Sequence, residues 1–143
     1  MQYTIRKVKP EDAVIIADLS VQLGYNPSAE DTASYIREIS KNSNEVIYVA
    51  VSGPVVIGWM HVFITTRLES GIFAEIGGLV VHEHFRGKGI GKLLIEKAIE
   101  WSRNNKITTL RLRSNIKRHE AHQFYKRSGF VEVKEQKVFK MDI

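Results

Sequence analysis

Apolar and polar positions along the chain change period several times, and each change marks an element. Tyr3–Val8 alternates, with Ile5 among its apolar residues, and predicts a first strand. Pro10 beside Glu11 and Asp12 opens a helix whose inward stripe is Ile16, Leu19 and Leu23, stopping at Gly24. Asn26–Pro27 breaks the pattern. Ser28 with Asp31 forms a loose capping box ahead of a second helix carrying Tyr35, Ile36 and Ile39 on one face.

Val46–Val51 and Val55–Ile64 read as strands joined by the turn Ser52-Gly53-Pro54. A longer turn, Arg67–Gly71, leads into a strand over Ile72–Val81. The adjacent Gly77–Gly78 inside it predict a bulge or a close backbone approach. After a glycine cluster, Ile90, Leu94, Ala98 and Trp101 share a helix face that ends at Asn104–Asn105. Ile107–Arg113 is the next strand and Lys117–Ser128 a helix closed by Gly129. Phe130–Val133 and Lys137–Met141 are expected to finish the chain as an antiparallel pair. The order β-α-α-β-β-β-α-β-α-β-β mixes hairpins with helical crossovers, so the sheet is mixed and the class α/β.

Composition narrows the reading. At 143 residues the chain has the size of one domain, and 43% hydrophobic residues are enough for a core without staples. The absence of cysteine excludes disulfides, cysteine–metal sites and a cysteine nucleophile. No apolar run reaches membrane-spanning length and the first residues carry no secretion-type segment, so a soluble cytoplasmic protein without membrane partners is expected. The net charge of +5 is spread through every segment, and an anionic small cofactor accounts for its local concentration more economically than nucleic acid.

That concentration is Leu79–Leu94, where a strand runs into a basic, glycine-rich turn and then a helix. Gly87, Gly89 and Gly91 alternate with Lys88 and Ile90, with Arg86 before them and Lys92 after. Glycines disfavour a helix start energetically, but they expose the first-turn N–H groups, which have no intrahelical partner and attract anions. The turn therefore reads as a seat for a phosphate or pyrophosphate. The spacing is not G-x-G-x-x-G, and Leu93 replaces the Ser/Thr of a Walker A loop.

Arg86-Gly87-Lys88-Gly89-Ile90-Gly91 resembles the acyl-CoA-binding signature of the GCN5-related N-acetyltransferase (GNAT) superfamily. Ala121–Phe130 resembles the same family's second signature, a helix bearing a Tyr and ending in Gly-Phe. The resemblance runs along nearly the whole chain. It implies a single acyl-CoA-binding catalytic domain over residues 1–143, with a six- to seven-stranded sheet splayed at its centre and about four flanking helices. It also implies acetyl-CoA as cosubstrate, no metal, an amine acceptor attacking directly in a ternary complex, and a homodimer of the kind common in the family. Cofactor contacts then fall on Leu79, Val80, Val81 and residues 86–92, with the pantetheine arm pairing like a short strand with the backbone of 79–81. By the same resemblance Tyr125 protonates the departing thiolate, Asn115 bonds the pantetheine or else caps the next helix, Phe124 packs in the core or flanks the CoA arm, and Lys126 and Arg127 meet the 3′-phosphate or simply suit a helix C-terminus. Glu75, on the strand leading into the bulge, is a candidate general base; its other readings are a solvated strand-face carboxylate or an acceptor-binding anion.

Other chemistries fit less well. His82 and His84 are placed to share a strand face and His119 and His122 a helix face, but H-E-A-H lacks the spacing of a zinc helix. There is no G-x-S-x-G elbow. The run Arg111-Leu112-Arg113 with Lys117-Arg118 lacks an aromatic platform for RNA. A noncatalytic acyl-CoA sensor and a basic nucleic-acid-binding module are the alternatives to an enzyme. The acceptor pocket is expected between Ala13–Lys41, the Thr65–Gly71 turn and the C-terminal hairpin, with a small-molecule amine favoured over a peptide.

Overall fold

Alternating apolar residues build one five-stranded sheet in the order β1-β2-β3-β4-β5, in a computed structural model that describes residues 3–143. The strands are β1 (Tyr3–Lys7), β2 (Glu45–Ser52), β3 (Val55–Arg67), β4 (Gly71–Val81) and β5 (Leu110–Leu112). The first four pair antiparallel in sequence order, and β5 joins β4 parallel. The mixed sheet and the α/β class stand as expected. Packing divides the chain into a unit reaching to Leu112 and a second unit, Arg113–Ile143.

In the first unit, α1 (Ala13–Ser20) and α2 (Ala29–Ser40) cover one sheet face. Ser28 Oγ accepts the Asp31 N–H at 3.0 Å, so the loose capping box is a real N-cap. Ala13, Ile16, Leu19 and Ile36 bury against Ile47, Val49 and Val51 of β2 and Val80 of β4. Tyr35 does not join this face: it is exposed, and Ile36 carries the contact with Ile39 beside it. Asp12, just ahead of α1, is buried and clamped by Arg6 of β1 through bonds of 2.8 and 3.0 Å.

The other face belongs to α3 (Ile90–Asn104), whose buried residues are Ile90, Leu94, Ile95, Ala98 and Ser102. Ser102 takes the inward place expected of Trp101 by donating its hydroxyl to the Ala98 carbonyl at 2.7 Å. Lys97 Nζ lies 5.6 Å from the Tyr48 ring centroid, and Tyr48 stands opposite Met60, which places these residues on the α3 face. Trp59, His61 and Phe63, at alternate positions, therefore lie on the α1/α2 face.

The second unit holds α4 (His119–Arg127), shorter than the helix expected over Lys117–Ser128. The turn before it uses Asn115, whose Oδ1 accepts the Lys117 N–H at 2.9 Å and whose carbonyl accepts the Arg118 N–H at 3.0 Å. Gly129 closes the helix with φ +102°. The expected strand pair Phe130–Val133 and Lys137–Met141 does not form, and the six- to seven-stranded count is corrected to five among the described residues. Val131, Val133, Val138, Phe139 and Met141 are all exposed, and an isolated two-stranded ribbon has too little burial to hold itself together.

Candidate functional site

The site grows from the last turn of β4. His61 of β3 stands opposite Gly78, while its neighbour Val62 stands opposite Ile76, so Gly77 is the extra residue of a bulge. Neither Gly77 nor Gly78 has a positive φ; what they provide is space. A Cβ on Gly77 would sit 2.8 Å from Phe63 Cε1, and one on Gly78 2.6 Å from Trp59 Cη2. Two aromatic rings of β3 thus lie across a side-chain-free stretch of β4. The indole Nε1 of Trp59 is buried with no hydrogen-bond partner among the described residues, a donor left for a ligand or water.

On the opposite edge β4 outruns its neighbour. The β4–β5 ladder pairs Ala74, Glu75 and Ile76 with Leu110, Arg111 and Leu112, whereas β4 continues pairing with β3 as far as Val81. Residues 77–81 consequently present backbone donors and acceptors on a side that no strand covers among the described residues. The expected strand Ile107–Arg113 shrinks to three residues, and that shortening leaves β4 without a parallel strand partner beyond Ile76.

A 3-10 turn, Glu83–Phe85, carries the chain from β4 to the glycine cluster. It replaces the strand face expected for His82 and His84: His82 Nδ1 instead accepts the His84 N–H at 3.1 Å. Gly87 (φ +77°) and Gly89 (φ +81°) adopt the left-handed region that favours glycine, and a Cβ at either would meet nothing within 4 Å. Gly89 is the N-cap of α3 and no side chain caps it. The Leu93 N–H reaches the Gly89 carbonyl at 3.1 Å, so the amides of Ile90, Gly91 and Lys92 precede the first helical bond. An exposed, uncapped helix start with open space around two glycines fits a polyanion.

The side chains around this turn divide the work. Ile90 and Val80 are buried, so their side chains belong to the core and do not line the turn. Arg86, Lys88 and Lys92 are exposed. Arg86 Nη2 donates to Gln22 Oε1 at 2.8 Å, linking the basic turn to the 3-10 segment Val21–Leu23 that follows α1. Lys88 Nζ sits 5.9 Å from the Phe85 ring.

Glu75 is buried, and the register settles its face, which alternation across a bulge left open. It stands opposite Phe63 and beside Arg111, on the α1/α2 side. Arg111 lies 4.2 Å over the Phe73 ring, so the basic run seen in the sequence packs on an aromatic here. Leu79, Val80, Val81, Glu75 and residues 86–92 all fall in the first unit; Asn115, Phe124, Tyr125 and Lys126 fall in the second. There, Tyr125 is buried with its ring 5.5 Å from Phe124 and 6.1 Å from Phe130. Burial pushes its phenol above the ordinary range, with Arg118 working in the opposite direction, and the hydroxyl keeps its proton at neutral pH. Asn115 holds the turn ahead of α4 without capping the helix, whose N-cap is Arg118, and Lys126 is exposed.

Sequence reasoning passed over Trp59, His61 and Phe63. Their signal was the alternation of large rings along one strand facing two adjacent glycines on the next.

The acetyltransferase (GNAT) family profile matches residues 15–130. A protein of Methanocaldococcus jannaschii named as an uncharacterized N-acetyltransferase is 39% identical over 67 residues, which are 47% of this chain and 30% of that protein. The chain thus aligns with under a third of that relative's length. An aminoglycoside N(6′)-acetyltransferase type 1 of Stenotrophomonas maltophilia is 24% identical over 145 residues, covering 98% of this chain and 94% of the relative. The solved structure of the aminoglycoside N-acetyltransferase AAC(6′)-Iy in complex with CoA superposes with a TM-score of 0.88 at 18% identity, covering 99% of this chain and 96% of the other. With the family profile spanning most of the residues, the glycine turn on α3 and the opened edge of β4 belong to a member of the GNAT family of acetyltransferases.

Proposed function

We propose that the whole chain acts as one catalytic domain that moves the acetyl group of acetyl-CoA to a primary amine of a small molecule, the amine attacking directly in a ternary complex. The observation that carries this is the β4–β5 ladder stopping at Ile76 while β4 runs on to Val81 and into an uncapped helix start. The small-molecule acceptor rests on the aminoglycoside acetyltransferases to which the chain is similar along nearly its full length.

Bound acetyl-CoA supplies an activated thioester carbonyl. The N–H groups of residues 89–92, with Arg86 and Lys88, hold its phosphates, and the free edge at residues 79–81 bonds the amide-rich arm. A main-chain N–H of that edge is a donor for negative charge developing on the carbonyl oxygen. Glu75 draws the acceptor's ammonium toward the α1/α2 face and is a candidate to take its proton, directly or through a water. Tyr125 protonates the departing sulfur; its buried phenol is held in the protonated form that the step needs.

The test is thiol release from acetyl-CoA in the presence of an aminoglycoside with a free 6′-amine, spermidine and a lysine-containing peptide. Turnover with a small amine supports the reading. Tight acetyl-CoA binding with no thiol released by any of them overturns it in favour of a noncatalytic acyl-CoA sensor. Tyr125→Phe should lower kcat by about 100-fold with acetyl-CoA affinity intact; unchanged turnover removes the acid role.

A further inference from the structure

His61 is a histidine that no signature motif covers, and it has a built environment. Its Nε2 lies 2.8 Å from Glu45 Oε1 across the β2–β3 strands. Glu45 Oε2 accepts from Asn42 Nδ2 at 3.0 Å. Asn42 is fastened in turn, its Oδ1 accepting the Asn44 N–H at 2.9 Å, and the Asn44 carbonyl accepts the Ile64 N–H of β3 at 2.8 Å. The His61 and Glu45 side chains are 23% and 25% exposed, enough for a substrate to reach and too little for either to rotate freely.

When Nε2–H donates to the carboxylate, the neutral ring carries its lone pair on Nδ1. Nδ1 lies 3.5 Å from where a Cβ on Gly77 would stand. The bulge residue thus adds no side chain beside this nitrogen, whose neighbour there is the Phe63 ring, at the rung where the uncovered stretch begins. Sheet geometry supplies the direction of approach. His61, Phe63 and Glu75 lie on the face shared with α1 and α2, opposite the face that α3 covers. A donor anchored at the start of α3 leaves that shared face to the acceptor. The charged groups on the flanking strands are Glu45 on β2 and Glu75 on β4, with Arg111 beyond it on β5.

Resting on the acetyltransferase reading, we propose that His61, oriented by Glu45, accepts the proton of the acceptor amine. His61 Nδ1 takes one proton from the ammonium, and the resulting imidazolium is stabilised by the Glu45 carboxylate on its other nitrogen. The nitrogen lone pair so freed forms the N–C bond as the C–S bond breaks; the sulfur leaves with the electron pair and takes up a proton. A second proton, on the now cationic amide nitrogen, passes to solvent. His61 thereby takes the base role in place of Glu75, which serves to attract the ammonium, and Glu45 is a positioning residue.

The experiment compares the wild type with His61→Gln, His61→Ala, Glu45→Gln and Glu75→Gln, using acetyl-CoA and the fastest amine of the three-member panel. Acetyl-CoA affinity and thermal unfolding are measured for each. His61→Gln is expected to lose about 100-fold in kcat with acetyl-CoA affinity within twofold. Added imidazole should restore at least about tenfold to His61→Ala, whose cavity lies at the reacting nitrogen. Glu45→Gln should lose about tenfold in kcat alone and nothing further in the His61→Ala background. A kcat for His61→Gln within about threefold of wild type overturns the proposal. So does a loss that imidazole leaves untouched while acetyl-CoA affinity and melting temperature both fall, and so does a silent His61→Gln beside an inactive Glu75→Gln. A wild type that acetylates no amine of the panel overturns the transferase reading itself, an outcome seen before any variant is compared.

Discussion

Removing the carboxylate of Asp12 should destabilise the fold by an amount that depends on pH. Asp12 is 5% exposed and accepts three hydrogen bonds: 2.8 and 3.0 Å from Arg6, and 2.7 Å from the Lys9 N–H. Bonds to a charged group contribute about 1.5–3 kcal/mol, and breaking a buried pair costs about 3–5 kcal/mol. Arg6, with its side chain 32% exposed, regains water when its partner goes, so Asp12→Ala is expected to lose about 2–3 kcal/mol at neutral pH. That corresponds to about 6–10 °C in Tm for a chain of this length.

Burial works to raise the Asp12 carboxyl, but the Arg6 bonds and the Lys9 N–H outweigh it, and the native group titrates below the ordinary carboxylate range. Its contribution is then fully present above the unfolded-state value, and it drains away as pH falls through the native one. Urea unfolding of wild type and Asp12→Ala, followed from pH 7 into the acid range, should show the difference in stability shrinking toward low pH with equal m-values. A difference below about 0.5 kcal/mol at pH 7, or one that stays constant down to the acid end, would refute the reasoning.

Leu94 is wholly buried beneath α3, and Leu94→Ala should cost about 2–5 kcal/mol by urea unfolding. Gly78→Ala forces a methyl to within 2.6 Å of the Trp59 ring and should cost about 1–3 kcal/mol, with Trp59 fluorescence changed. Gly89→Ala meets no atom within 4 Å, so its stability cost should be only the left-handed strain of about 1–2 kcal/mol. Calorimetry should nonetheless show acetyl-CoA binding weakened about tenfold, because the strained residue is the N-cap that aims the amides.

How much of this was legible beforehand follows the range of the interactions involved. Local signals read well: the Ser28 cap, the glycine stop after α4, and the basic glycine turn ahead of α3 each depend on a few consecutive residues. Gly77–Gly78 was legible as a bulge or a close approach but not as a seat for the Trp59 and Phe63 rings, because those rings arrive from another strand. The C-terminal alternation predicts two strands that do not form, because alternation supplies only a face to bury and not a partner to bury it against.

The sequence by itself determined the class of fold, the basic glycine turn ahead of α3 and the family's two signatures, since these rest on backbone preference and on motifs contiguous in the chain. Tertiary structure alone decided that β5 pairs with β4 over three residues, that Glu75 faces the α1/α2 side, and that Glu45 comes within 2.8 Å of His61. Each of those depends on strand register. Register is set by packing between segments distant along the chain, and a one-residue slip reverses every side chain on a strand.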